Sequence, residues 1–149
     1  MSAAQRRPIR VLLVDDDPVF RELLAFVLRT HRGAELVGQA SDGVEGVELA
    51  GKLRPDVVLM DLRMPRMDGF EATRRILATV DGPRVLVVSS SSWHEDIERA
   101  REAGAAGYVS KDRAVAELPD ELERLRPVDR QPTRRWETSP LRLFAPARI

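Results

Sequence analysis

The chain has 149 residues, 43% of them apolar and 32% charged, with 24 basic and 24 acidic side chains, enough for one globular domain that buries roughly 68–70% of its unfolded surface. Without cysteine, and with His31 and His94 as its only imidazoles, it excludes disulfide frameworks, thiol mechanisms and multi-histidine metal sites. No apolar run approaches the roughly 18 residues of a membrane span, the first ten residues are polar rather than signal-like, and neither half has the basic excess of a nucleic-acid footprint; a cytoplasmic protein with no membrane contact and no direct nucleic-acid binding is expected.

Short apolar runs alternate with segments of helical period. Arg10 to Val14 reads as a buried strand, stopped by Asp15, Asp16, Asp17 and Pro18. Asp17 suits an N-cap and Pro18 a first helical position. Phe20, Leu23, Leu24, Val27 and Leu28 then recur at helical spacing, with His31 at the end, where it suits the macrodipole. Glu35 to Ala40 reads as a second strand. Asp42 and Glu45 form an acidic variant of the capping box before a helix through Val44, Val47, Ala50 and Leu53, which Pro55 ends.

Asp56 to Met60 is a third strand, stopped by Asp61. Asp68 and Glu71 cap a third helix with Phe70, Thr73, Ile76, Leu77 and Val80 inward, and Arg84 to Val88 follows as a fourth strand. Ser92 and Glu95 read as a capping box for a fourth helix around Ile97 and Ala100, which places His94 in solvent and Trp93 at a partly exposed start. Gly107 to Val109 is a short fifth strand. A last helix is expected over Ala114 to Arg126 with Val115, Leu118, Leu122 and Leu125 on one face; Pro119 is tolerable there only in a first turn.

Five strands alternating with five helices predict an α/β fold with a parallel sheet covered on both faces. The periodicity stops after Arg126. The last 23 residues hold four prolines, and with five arginines against two acids they carry +3, leaving −3 on residues 1–126. A disordered N-terminus over 1–7, a folded domain over 8–126 and a Pro/Arg-rich tail or linker over 127–149 without an output domain are expected. Trp136, Leu141, Leu143 and Phe144 are the tail's only docking candidates.

Ligands of open α/β sheets sit beyond the carboxyl ends of the strands. Those ends carry Asp15 and Asp16 after the first strand, Asp61 after the third, Ser89 after the fourth and Lys111 past the fifth. Asp17, Asp42 and Asp68 are explained as caps; Asp15, Asp16 and Asp61 are not. Three converging carboxylates repel unless a cation neutralises them or some protonate. All-oxygen ligation suits Mg²⁺. A carboxylate beside Mg²⁺ can attack phosphorus, with Ser89 and Lys111 as donors to the phosphoryl oxygens.

Four motifs extend this reading. Val11-Leu-Leu-Val-Asp15-Asp16-Asp17-Pro18, Asp56-Val-Val-Leu-Met-Asp61-Leu-Arg-Met-Pro65-Arg-Met-Asp68-Gly69, Val87-Val-Ser89-Ser90 and Gly107-Tyr108-Val-Ser-Lys111 resemble the receiver domain of bacterial two-component response regulators, in family order, over about residues 8–126. Gly-Tyr before the lysine, Lys111-Asp112 and Gly69-Phe-Glu-Ala-Thr73 resemble the subfamily usually joined to a helix-turn-helix output domain. The tail does not resemble the start of such a domain, so a stand-alone receiver is expected.

The resemblance implies a flavodoxin-like, doubly wound five-stranded parallel sheet of order 2-1-3-4-5. It implies that Asp61 is the phosphoacceptor and that Asp15, Asp16, Asp61 and the backbone carbonyl of Arg63 hold Mg²⁺. Lys111 would contact the phosphate, Ser89 would be the switch hydroxyl and Tyr108 the switch aromatic. The implied partners are a sensor histidine kinase or phosphotransfer protein, and a downstream protein or second copy on the helix 4/strand 5/helix 5 face. Catalysis would be limited to the chain's own phosphorylation and dephosphorylation. Arg63 and Ser91, two residues past the acceptor and the switch hydroxyl, would line the water's approach, Arg63 folding over the phosphoryl group and Ser91 leaving its side open. Most receivers have proline after the lysine; with Asp112 there, a cis bond would cost about 3–4 kcal/mol, so trans is expected. Two other readings remain at this stage: an Mg²⁺-dependent phosphohydrolase with an aspartyl nucleophile, which would want a carboxylate where Arg63 stands, and a degenerate receiver that signals without phosphate.

Overall fold

The computed structural model describes residues 6–79 and 82–128. In chain order the elements are β1 (Ile9–Val14), α1 (Pro18–Thr30), β2 (Ala34–Ala40), α2 (Gly43–Leu53), β3 (Val57–Met60), α3 (Gly69–Thr79), β4 (Arg84–Ser89), α4 (His94–Glu102), β5 (Gly107–Ser110) and α5 (Lys111–Arg124). The strands form one sheet of order β2-β1-β3-β4-β5 with every pairing parallel. Val80 and the segment 129–149, with Trp136, Leu141, Leu143 and Phe144, lie outside the described residues, as do residues 1–5 of the expected N-terminal segment.

The period of two along the strands divides the core. Ile9, Val11 and Leu13 of β1 join Val57 and Leu59 of β3 under α1 and α5, with Leu24, Leu28, Leu118 and Leu122. Leu12 and Val14 join Val58 and Met60 on the other face, under α2 and α3, with Ala50, Ala72 and Ile76. Alternate side chains of a strand point to opposite faces, so a continuously apolar strand needs helices on both sides. A third cluster, Leu62, Phe70, Val87, Ala100 and Ala105 with Tyr108 against it, packs α3 and α4 beside β4 and β5.

Local caps fall where their residue types predict. The Asp17 carboxylate accepts from the Val19 and Phe20 amides at the start of α1. Asp42 accepts from Glu45 N, and Glu45 Oε2 reaches back to Ser41 N. Asp68 Oδ1 accepts from Glu71 N. Arg54 closes α2 in the left-handed region at φ 47°, immediately before Pro55. His31 is the C-cap of α1 and lies 3.6 Å from Glu123 of α5. No peptide among the described residues is cis, so Lys111–Asp112 is trans.

Four expectations need correction. Leu23 is 43% exposed while Ala25 is fully buried, because the stripe that meets the sheet is Leu24, Ala25 and Leu28, one residue round from the predicted one. Val115 is likewise exposed and Ala114 buried. The last helix begins at Lys111, directly after β5, which puts Pro119 in its interior and not its first turn. Ser92 caps nothing: the N-cap of α4 is Trp93, whose carbonyl accepts from Asp96 and Ile97. Trp93 is 75% exposed, in keeping with its place at an exposed helix start.

Candidate functional site

The chain passes from β1 to β2 on one side of the sheet and then returns to β3 on the other. The two strands flanking that reversal end in acids. The Asp61 amide donates to the Val14 carbonyl at 2.9 Å and the Asp15 amide to the Ala40 carbonyl at 3.0 Å, so both acids are held by the ladder itself. One oxygen from each of Asp15, Asp16 and Asp61 lies within 4.8 Å of the others. Asp15 and Asp61 are buried and Asp16 is exposed, which gives the cluster an open side.

Lys111 enters from the start of α5. Its Nζ lies 2.9 Å from Asp15 Oδ2 and 3.2 Å from Asp61 Oδ2, and 4.6 Å from the centre of the Phe20 ring. Phe20, expected only as core, therefore also steers the ammonium. The other lysine, Lys52, is exposed in the last turn of α2. The remaining oxygens take amides: Asp17 N donates to Asp15 Oδ1 and Leu62 N to Asp61 Oδ1, both at 2.8 Å. Burial, and then the Asp15 charge, push the Asp61 carboxyl up to about 7, against the pull of Lys111 and the Leu62 amide. Burial draws Lys111 down, but the contacts with Asp15 and Asp61 outweigh it and leave its pKa raised.

The loop after Asp61 is shaped by close approach. A Cβ on Gly69 would lie 1.9 Å from the Asp61 carbonyl oxygen, and Gly69 N donates to Leu62 O at 2.8 Å. Only glycine lets α3 begin against the backbone of the acid.

Ser89, at the end of β4, is buried, and its Oγ accepts from Ser91 N at 3.1 Å. The Tyr108 hydroxyl donates to the Ser91 carbonyl at 2.7 Å, and its ring already packs against the third core cluster. Burial pushes the Tyr108 phenol up, which keeps it a donor. Ser91 does not stand open. Its hydroxyl donates to Asp96 Oδ2 at 2.6 Å and accepts from Trp93 N at 3.3 Å. Nor does Arg63 fold over Asp61: its Nη2 lies 3.0 and 2.9 Å from the two oxygens of Asp96.

Sequence reading missed Asp96. The capping-box pattern chose Glu95 as the acid of the first turn because it chose Ser92 as the cap. With Trp93 as the cap, the third helical residue is Asp96. No capping pattern marks it, because Trp93 makes no side-chain cap.

Among the described residues, no helix is long and apolar enough to cross a membrane. The sequence matches the response regulator receiver domain family over residues 11–123. It is 44% identical over 114 residues to the transcriptional regulatory protein LiaR of Bacillus subtilis, covering 76% of this chain and 54% of that protein. It is 47% identical over 103 residues to protein-glutamate methylesterase/protein-glutamine glutaminase 4 of Myxococcus xanthus, covering 69% of this chain and 29% of that protein. The fold superimposes on the signal receiver domain of the putative response regulator NarL from Mycobacterium tuberculosis with a TM-score of 0.77 at 33% identity, covering 80% of this chain and 96% of that one. This chain thus spans about half the length of the first of these relatives and less of the second. Fold, rim and sequence agree, and the chain belongs to the receiver domain family of two-component response regulators.

Proposed function

We propose that this chain is a phosphorylation-controlled switch, acting in the cytoplasm, whose acceptor is Asp61. The phosphoryl donor is the phosphohistidine of a sensor histidine kinase or phosphotransfer protein. In the transfer an Asp61 oxygen bonds to phosphorus as the bond from phosphorus to the histidine nitrogen breaks, and the imidazole keeps the electron pair. The observation that carries the reading is one buried acceptor carboxylate flanked by two further carboxylates and an ammonium on a single rim.

The donor set suits Mg²⁺. Its three ligand atoms are oxygens, one of its residues faces solvent, and burial, with the Asp15 charge beside it, raises the Asp61 carboxyl, a cost that a cation relieves. Asp15, Asp16, Asp61 and the Arg63 carbonyl would hold the ion, which supplies positive charge beside the phosphoryl oxygens. Lys111 supplies the site's own cation. It pairs with the carboxylates here and is free to pair with a phosphoryl oxygen when that group displaces them. Ser89 gives up its bond from Ser91 N to reach the phosphoryl group, and Tyr108 holds the loop that Ser89 leaves. The change reaches a downstream protein or a second copy through α4, β5 and α5. We take the receiver to span residues 8–126.

The phosphohydrolase reading has less support, because Arg63 occupies the place of its acid/base and is engaged by Asp96. Incubation with acetyl phosphate and Mg²⁺ tests the proposal. Wild type is expected to gain one phosphoryl group, and Asp61→Asn none while remaining folded. Stoichiometric labelling of Asp61→Asn would sink the assignment.

A further inference from the structure

The corner between β4 and α4 holds a polar network that the chemistry above leaves unused. Asp96 is 5% exposed, yet it is an acid in the first turn of a surface helix. A carboxylate so placed is costly unless it is paired and hydrogen-bonded. Here its oxygens take the Ser91 hydroxyl and both contacts of the Arg63 guanidinium. Arg63 stands two residues past the acceptor, so it is the cation nearest Asp61 in the chain. In the fold it is committed to α4, with its guanidinium 5.9 Å from the centre of the Phe70 ring, and the cation paired with Asp61 is Lys111.

We propose that Asp96 is a positioning residue for the phosphoryl chemistry at Asp61: it holds the Arg63 guanidinium on α4 and so keeps the acyl phosphate open to water. The inference rests on Asp61 being the acceptor. Guanidinium groups pair strongly with carboxylates and with phosphoryl oxygens, so Asp96 and a phosphorylated Asp61 compete for one side chain. In hydrolysis a water oxygen bonds to phosphorus as the bond from phosphorus to the Asp61 oxygen breaks. The carboxylate keeps the electron pair, and the water's proton passes to solvent. A guanidinium resting on the phosphoryl oxygens narrows the water's approach; one held on Asp96 leaves it clear.

The test is the lifetime of the phosphorylated protein, read as phosphate release after a rapid chase from acetyl phosphate at saturating Mg²⁺. Asp96→Asn keeps an acceptor for the Ser91 hydroxyl and removes the charge that holds Arg63. It is expected to slow release about fivefold. In an Arg63→Ala background the same substitution is expected to leave the rate where Arg63→Ala alone puts it. A second variant, Asp96→Ser, must give the same pattern, and a thermal melt establishes that each variant is folded. An equal change in both backgrounds would mean that Asp96 acts through Ser91 and would overturn the proposal. Equal lifetimes in wild type and the folded Asp96 variants would also overturn it, with the acceptor assignment intact. Wild type that takes no label would overturn both.

Discussion

The acidic rim and the β4–α4 corner lie side by side and are built on opposite electrostatic terms. At the rim, three carboxylates lie close together, two of them paired with one ammonium, and the Asp61 carboxyl rises to about 7. At the corner, one buried carboxylate meets one guanidinium and one hydroxyl, and Ser91 engages its amide, carbonyl and hydroxyl together. The first arrangement gathers more negative charge than its one ammonium offsets. In the second, both oxygens of the buried carboxylate have partners. A switch needs both: a place where a ligand's differential contacts shift the balance, and a packed element with something to lose when it shifts.

The largest expected difference between the two regions is in metal affinity. Asp16→Ala is expected to weaken Mg²⁺ binding about a hundredfold, close to 3 kcal/mol. Asp17→Ala, one residue on, is expected to leave it nearly unchanged and to cost about 0.5–2 kcal/mol of stability through the lost α1 cap. Mg²⁺ titrations and urea melts of the two variants separate these effects. If Asp17→Ala binds Mg²⁺ more weakly than Asp16→Ala, the acids have been assigned one residue out of register.

The burial of Asp61 beside Asp15 has a pH signature. A carboxyl whose folded pKa lies above its unfolded value favours folding at low pH, and that stability is lost as pH rises towards the folded value. For Asp61 the window runs from 3.8 to about 7. Without Mg²⁺, Asp61→Asn is therefore expected to be more stable than wild type at pH 8. The gain is about 1–2 kcal/mol after screening at the solvent-facing rim, and it should vanish below pH 4. Chelator-treated protein melted across that range decides it, and equal melting curves at pH 8 would mean that the rim is not strained.

Smaller effects are expected at the corner. Ser91→Ala removes the hydroxyl bonded to buried Asp96 and is expected to cost about 1 kcal/mol, whereas Ser92→Ala, which removes no cap, stays within about 0.5 kcal/mol. Equal losses would restore the capping box. Smallest of all is Thr73→Val in α3. Thr73 Oγ1 is buried without a hydrogen-bond partner, so its removal is expected to be neutral or to stabilise by a few tenths, roughly, of a kcal/mol. A chemical melt reads either outcome.

The sequence by itself determined the sheet, its helices, most caps and the acids that end its strands. These follow from local rules: apolar runs of strand length, helical spacing, Asp before a first turn, and the rule that strand ends face the ligand side. Which stripe of α1 meets the sheet was decided by packing, because Leu23 and Leu24 are equally apolar and only the helix's rotation against β1 buries Leu24 rather than its neighbour. The start of α5 at Lys111 was decided by the end of β5, which leaves no loop between them. The partners of Arg63 were decided by tertiary structure alone. It reaches Asp96 across 33 residues of chain, and no local pattern relates a loop residue to so distant a helix. Charge pairs of that kind exist only once the loop after β3 and the start of α4 have been brought to the same end of the finished sheet.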